Sequence, residues 1–599
     1  MRITYNDKLN KLLNPYLESL LKEKSSLEPE TLTLFDMFME DLDMGGRYGI
    51  FSEILEPRLE EIIREENIES IANLMDGRLN TLFRYMLGDE FAGLFHTYLQ
   101  LEARCPHTIG YDRRAQRSAH PSNHLDHARD AWLQFLKLRA TGFSVEAILK
   151  GGNTPEDTEE FSGYMNSSYW LAAQIAQGNE KVIEYLNQVL TSENNVHRLQ
   201  RWYLHAIAIS GHRPLLELEG KLLLAAKLQE GLRQAIVETM DEGCPESYLY
   251  LFSIIYNNGL QRFASVKRSI AVCTGIGEQD SSERITNKYV ELIWNFLNHP
   301  ETARNTLQSK DTVELYLALW SIGFYDTDEI RAIVPDIIRK GAKHQIQTLL
   351  YFLRCTQSSQ MNHLISKDAF EVWHDDPKVV AAILPLYMDG LYLSRYSDNK
   401  EAPTLSDYFE TPEEAVHHYG YLKQVYQSIS AKEIYSPYVF PWDCVVLTRS
   451  DVVLKMAYIA WMTNDIRLRE ELCTYLPALE SYNRASYIGI VLARTESKVE
   501  QEYVLQSLGD RSADIRDEAY KVLSEMSLSP EQYQHIEELL RFKYSEMRIN
   551  AINLLMKQPE AQLAASIRRL LSDKNAERRL AGLDMMKSIR NVDFLKDSY

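Results

Sequence analysis

Apolar residues recur at helical spacing along most of the chain. Val182, Tyr185, Leu186, Val189 and Leu190 follow a 3.6-residue period, and so do Leu222, Leu223, Ala226 and Leu228, with Ile236 and Val237 beyond them. TVELYLALWSIGF followed by DEIRAIVPDIIRKGAKHQIQTLLYFLRC predicts further helix pairs, punctuated by Pro335 and Gly341. Near the C-terminus the pattern becomes a repeat. SLGDRSADIRDEAYKVL, LLRFKYSEMRINAINLL and LLSDKNAERRLAGLDMM align without gaps, so that Leu508, Leu540 and Leu571 correspond, as do Arg516, Arg548 and Arg579, at steps of 32 and 31 residues. A period of this size marks stacked supersecondary units. Each unit reads as two helices, the first ending near the Leu and the second starting after Ser512 or Asn575, residue types that cap helix N-termini by accepting backbone N–H bonds. In the second helix Ile515, Ala519, Val522 and Leu523 share a face, while Asp517, Glu518, Lys521 and Ser524 are predicted to point to water. A lone hairpin cannot cover its own apolar stripe, so the units are expected to stack.

These recurring positions resemble HEAT-type repeats, whose second helix begins with an Asp, then an Arg six residues later, then a small residue. Asp510 with Arg516 and Ala519 fits, and so does Asp573 with Arg579 and Gly582; in the middle unit Phe542 replaces the Asp, so an Asp–Arg ladder is expected to break there. Arg578 takes the Ile515 position in the last unit, which makes its seam atypical. The resemblance implies an all-α fold, an α-solenoid of HEAT-like helical repeats in a superhelical array. After Ile589 only NVDFLKDSY follows, too short for the polar helix that seals such a stack; an open edge of Leu583, Met586 and Ile589 is therefore expected to favour self-association.

Composition agrees with a helical reading. Gly (26) and Pro (19) are both scarce among 599 residues, which disfavours a turn-rich all-β architecture, and 45% hydrophobic with 25% charged residues excludes a disordered or collagenous chain. The six cysteines stand at least 29 residues apart with no CxxC pair, a spacing that suits neither a disulfide framework nor a zinc ribbon and points to a reducing cytoplasm. The N-terminus lacks the layout of a signal peptide, and Lys455 interrupts the best apolar stretch, Val452 to Met462, so no spanning segment is expected.

A second resemblance runs from about residue 180 onward. KLLLAAKLQEGLRQAIVETMDEG, GLQRFASVKRSIAV and LLSDKNAERRLAGLDMMKSI look like the helical N-terminal portion of MolR-like bacterial proteins of unknown function, which are sometimes associated with a WGR module. It implies a solenoid-like fold in a bacterial cytoplasm and no established reaction. Members are often much longer, so the chain is expected to be a fragment or a shortened relative.

Charge is unevenly spread over a net −20. Residues 28–69 carry thirteen acidic side chains against three arginines, whereas 541–599 carries twelve basic against seven acidic. The basic end includes Arg568, Arg569, Lys574, Arg578 and Arg579, a candidate surface for an acidic protein partner; the plainer reading is a solvated face with Arg579 serving the repeat. Nucleic acid is the less expected partner, because an overall negative charge opposes approach to phosphates. Arg113, Arg114 and Arg117, with Arg104 and Arg129 nearby, form a basic island suited to an anion, which segment 28–69 could itself supply.

Catalytic signatures are scarce: there is no GxSxG, HExxH, GxxxxGK[ST] or GxGxxG. His120, His124 and His127 cluster near Cys105 and His107. If a helix starts at Pro121, His124 and His127 share a face, and imidazoles with a thiolate suit zinc; exposed or hydrogen-bonded imidazoles are the alternative. His374 with Asp375 and Asp376 resembles the HD pair of metal phosphohydrolases, yet Asp376 before Pro377 also reads as an N-cap before a first-turn proline. Four regions are expected: an acidic helical part over 1–115, helical repeats over 116–390, a Tyr/Pro-rich insertion or junction over 391–445 and HEAT-like repeats over 446–599. The expected function is a non-catalytic scaffold with a curved surface for protein–protein interaction and no cofactor. The alternatives are a regulatory part of a metal-dependent enzyme, or a nucleic-acid-associated repeat protein.

Overall fold

The computed structural model describes residues 8–44, 54–105, 125–141, 145, 149, 165–192, 199–226, 229–276, 282–325, 327–356, 359–396, 401–430, 434–435, 445–541 and 545–589. Among these the fold is helical apart from one two-stranded antiparallel pair, Ile434–Tyr435 with Val446–Leu447. No helix of the described residues is long and apolar enough to cross a membrane. The chain divides into two compact units, Met1–Ile333 with Phe352–Ser358, and Val334–Tyr351 with Ser359–Tyr599.

In the first unit, residues 165–325 form two rows. Helices Met165–Ala176, Arg201–Ser210, Glu230–Asp241 and Ala264–Thr274 pack in succession, and Glu180–Thr191, Arg213–Ala225, Pro245–Asn258, Asn287–Asn298 and Thr312–Tyr325 do the same. Alternation between rows follows from short turns that reverse the chain. Gly211 ends one helix at φ 67°, a left-handed conformation that glycine adopts without a Cβ clash, and Asn179 and Thr286 start others by accepting the N–H groups of Val182 and Tyr289. The Arg201–Ser210 helix is buried all round from Trp202 to Ile209, as a helix between two neighbours must be. Each aliphatic side chain so buried contributes about 1.5–3 kcal/mol. Gly243 lets the next turn approach: a Cβ there would lie 2.6 Å from the Ala208 carbonyl oxygen, and Cys244 N–H donates to that same oxygen at 3.1 Å.

In the second unit the Pro412–Ser428 helix packs on Arg449–Thr463, which opens with a reciprocal Thr448–Asp451 capping box. Of the expected insertion over 391–445, residues 391–396, 401–430, 434–435 and 445 are described, and they include the Pro412–Ser428 helix and strand Ile434–Tyr435. Then come hairpins. Ser481–Ile490, Ala513–Glu525, Ser545–Leu555 and Ala576–Ser588 pack in succession, and Ile466–Leu472, Lys498–Ser507, Pro530–Leu539 and Glu560–Leu571 make the facing set. Arg484 lies 32 residues before Arg516, so the structural period reaches one hairpin further upstream than the aligned segments.

The second-helix face is as its spacing predicts at Ile515, Ala519, Val522 and Leu523, all buried. Glu518 departs from the pattern. It is buried, because Arg395 covers it at 3.7 Å and Lys521 pairs with it at 2.7 Å. The repeat arginines make a shared contact that the spacing did not specify: Arg516 Nη1 donates to the carbonyls of Asp510 (2.9 Å) and Arg511 (3.0 Å), and Arg579 Nη1 donates to those of Asp573 (2.9 Å) and Lys574 (2.8 Å). The arginine thus ties down the turn that its own Asp begins. The Asp carboxylates serve elsewhere, Asp510 taking Ser512 N–H and Arg484, and Asp573 taking Asn575 N–H and Arg578. Between successive hairpins, Arg516 meets Glu546 at 3.5 Å and Arg548 meets Glu577 at 3.0 Å; Phe542, where the Asp is replaced, lies outside the described residues.

Candidate functional site

Two arrangements in the second unit join chemically distinctive side chains. The first is on the turn side of the hairpins. A groove of about 530 Å³ is lined by Ser481, Arg484, Gln506, Asp510, Arg511 and Ser512 with Gly509, where the helices Ser481–Ile490 and Ala513–Glu525 begin. Beside it runs an exposed tyrosine group. Tyr392 and Tyr396 are 68% and 73% exposed, yet both are held: Tyr392 Oη lies 3.0 Å from Tyr482 Oη, and Arg395 donates to Tyr396 Oη at 2.8 Å. Ser394 Oγ is also 3.0 Å from Tyr482 Oη. Arg395 is nearly buried, and it anchors the segment to the repeats through Asp514 at 2.5 Å and through its own N–H to Ser486 Oγ at 3.2 Å. Large aromatic faces with hydroxyls, fixed before any partner arrives, lose little rotamer entropy on binding.

The second arrangement is a cluster of imidazoles and carboxylates. On the Ser359–Trp373 helix, His363, Lys367 and Phe370–Glu371 recur at helical spacing, with His374 just beyond; on Pro412–Ser428, Glu414, His418 and Tyr421 do likewise. The two stripes meet. His363 Nδ1 accepts Met388 N–H at 2.9 Å, so the proton sits on Nε2, which donates to the Tyr408 carbonyl at 2.9 Å; burial pushes this imidazole down to about 4. Both its nitrogens are used structurally, Nδ1 at Met388, whose φ is 51°, and Nε2 at Tyr408.

His418 differs. Its Nδ1 lies 2.8 Å from Tyr387 Oη, while Nε2 is buried without a hydrogen-bond partner, 3.5 Å from Glu371 Oε1. Burial holds His418 down at about 4, against the pull of the Glu414 carboxylate. Burial raises the Glu414 carboxyl, but the Lys367 ammonium 2.8 Å from Oε1 and the Glu410 N–H 2.6 Å from Oε2 outweigh it and keep the group below its usual range. At the rim, His374 stacks on Tyr421 with ring centroids 3.7 Å apart, and His417 Nε2 meets Tyr421 Oη at 2.7 Å.

The residues singled out in the sequence fall elsewhere. Arg113, Arg114, Arg117, His120 and His124 lie outside the described residues, as does the side chain of His127 on the Leu125–Thr141 helix. Of the neighbouring island, Arg104 pairs with Glu246 at 2.8 Å, and Arg129 forms an ion pair with Glu56, inside the acidic segment. Arg569 pairs with Glu537 at 2.6 Å, Arg578 with Asp573 at 2.7 Å and Glu538 at 3.2 Å, and Arg579 with the turn carbonyls; Arg568 and Lys574 are exposed. His374 stacks rather than joining Asp376, which caps the Pro377–Ile383 helix through Lys378 N–H and pairs with Lys343 at 2.6 Å. Sequence reading passed over His363, Glu371, Glu414 and His418. The usable signal was the adjacent His417–His418 pair four residues after Glu414 on a capped helix.

A family model described as "Family of unknown function (DUF5724)" matches residues 34–599, reaching much further toward the N-terminus than the likeness seen from about residue 180. No curated protein and no solved structure matches the chain.

Proposed function

The chain belongs to the DUF5724 family of unknown function, and from that premise we propose that it is a non-catalytic scaffold of HEAT-like stacked hairpins that binds a protein partner at the tyrosine-flanked groove. The observation that carries this reading is the exposed yet hydrogen-bonded state of Tyr392 and Tyr396 beside the groove. Tyr and Arg are the residues that most often dominate the energy of protein interfaces. Fixing them through Arg395 to the repeat helices turns the hairpins into the platform and the tyrosines into the contact.

A protein suits the site better than a nucleic acid. The net charge of −20 opposes polyanions, and several arginines of the basic C-terminal stripe are already committed to Glu537, Glu538, Asp573 and turn carbonyls.

The test is affinity capture from a lysate of the source organism with the native chain and a Tyr392→Ala/Tyr396→Ala variant. Both side chains are exposed, so the fold should be unaffected. A protein recovered in stoichiometric amount by the native chain and at least tenfold depleted with the variant supports the reading, in line with loss of hot-spot contacts. Equal recovery by both, or no partner for either, overturns it.

A further inference from the structure

We propose that Glu371, Glu414 and His418 form a binding site for a divalent metal ion of the zinc class, with His418 Nε2 as nitrogen ligand and the two carboxylates as oxygen ligands. The donor atoms of the three residues all lie within 4.8 Å of one another. A tetrahedral ion with bonds of about 2.0–2.2 Å separates its ligand atoms by about 3.4 Å, and His418 Nε2 stands 3.5 Å from Glu371 Oε1. That distance is long for a hydrogen bond and right for two ligands on one ion.

His418 supplies the second, independent observation. Its side chain is 0% exposed, and Nε2 has no hydrogen-bond partner while aimed at the carboxylates. A buried polar nitrogen left unsatisfied is destabilising, and a metal removes that cost. The ring is set up as metal-binding histidines usually are, with the other nitrogen held by a neighbour: if Nδ1–H donates to Tyr387 Oη, the lone pair is on Nε2.

Glu414 is held by Lys367 and by Glu410 N–H, which use two of about four lone-pair positions on its carboxylate and leave room for an ion. The Lys367 ammonium opposes a second cation, so affinity is set in the micromolar range rather than tighter. Glu371 is 51% exposed and opens the site to solvent, giving an entry path and a free position for water. One imidazole with two carboxylates selects a borderline ion such as zinc over magnesium or calcium, which take oxygen ligands alone.

The site uses none of the groove residues, so its fate is independent of the scaffold reading. The chelator-stripped 599-residue chain is titrated with zinc chloride by calorimetry and with cobalt(II) by visible absorption, in its native form and as Glu371→Gln, His418→Gln and His124→Ala. Expected are one ion per chain with Kd of about 1–50 µM, at least tenfold weaker binding in Glu371→Gln, loss in His418→Gln, and no change in His124→Ala. Glu371→Gln alters a half-exposed side chain, so its thermal unfolding should match the native chain and separate lost ligation from lost fold. Absence of stoichiometric binding below about 100 µM, or an unchanged affinity in Glu371→Gln, overturns the site.

Discussion

Residues 165–325 and 466–588 use the same packing rule, helices alternating between two rows, but stitch their rows differently. In the second region the stitch repeats. Asp514, Glu546 and Glu577 each precede the repeat arginine by two residues, and each pairs with an arginine from before it: Arg395 at 2.5 Å, Arg516 at 3.5 Å and Arg548 at 3.0 Å. In the first region successive seams have different chemistry. Arg201 pairs with Glu238 at 2.8 Å, Arg233 donates to Ser265 at 3.3 Å, and Ser269 donates to Asp241. A seam bridged by its own combination of side chains has no counterpart at the next seam, whereas a charge pair renewed at successive hairpins, as at Arg516–Glu546 and Arg548–Glu577, puts the same residue types at a near-constant offset. Only the second kind of seam leaves a pattern that alignment can find.

If the first region depends on tailored fit, its tightest contact should be its weakest point. Gly243→Val places a side chain where a Cβ already lies 2.6 Å from the Ala208 backbone. Unfolding in denaturant should show a loss of about 3 kcal/mol in the transition reporting the first unit, since overpacking against backbone finds no relief. The counterpart in the repeats is softer. At Gly582 the nearest atoms to an added Cβ belong to the Leu570 and Leu571 side chains, at 3.2 Å, so Gly582→Ala should cost under about 1 kcal/mol in the same measurement.

Next in size is Glu219, fully buried on the Arg213–Ala225 helix with neither carboxylate oxygen partnered; burial raises its carboxyl well above 4.5. Below that ordinary value both folded and unfolded chains hold the proton and no penalty exists. As pH rises past it, the unfolded chain releases the proton while the folded one retains it, so stability falls with increasing pH. Glu219→Gln should therefore be more stable than the native chain at pH 7.5 and no more stable at pH 4.5. A difference that stays constant between those two pH values would show that Glu219 is charged or partnered in solution.

The smallest effect belongs to the charged seam. Arg548→Ala removes the bonds to Glu577 and to Asp584 at 2.7 Å. Because these groups are partly exposed, the expected cost is about 1 kcal/mol, shrinking with added salt. Hydrogen exchange should quicken in Ala576–Ser588 and remain unchanged in residues 165–325. Quickening across both regions would mean that the stitches are not local.

Helicity was legible because few glycines and prolines interrupt a strong 3.6-residue period. The hairpins at 508–588 were legible through Arg516 and Arg579, although the carbonyls they bind could not be foreseen: a guanidinium six residues after an Asp can reach backbone as readily as carboxylate. Asp376 before Pro377 announced its cap, because an N-cap and a first-turn proline are both local to the helix start. Glu518 misled, since Arg395, more than a hundred residues away, decides its environment. The histidine cluster stayed hidden for the same reason. Glu371 and His418 are 47 positions apart and share no motif, and the conspicuous tyrosines around them drew the reading toward an insertion.

Rows built by adding one similar hairpin after another are open to lengthening. A hairpin duplicated between Ser529 and Gln558 would create new junctions at its two borders and leave the packing of Ile466–Leu472 or Ala576–Ser588 as it is. The Arg-to-acid offset would come with the copied segment, so the new junctions would arrive already stitched. Growth by copying is thereby cheap at one end of this molecule, and at the other it would demand a fresh fit each time.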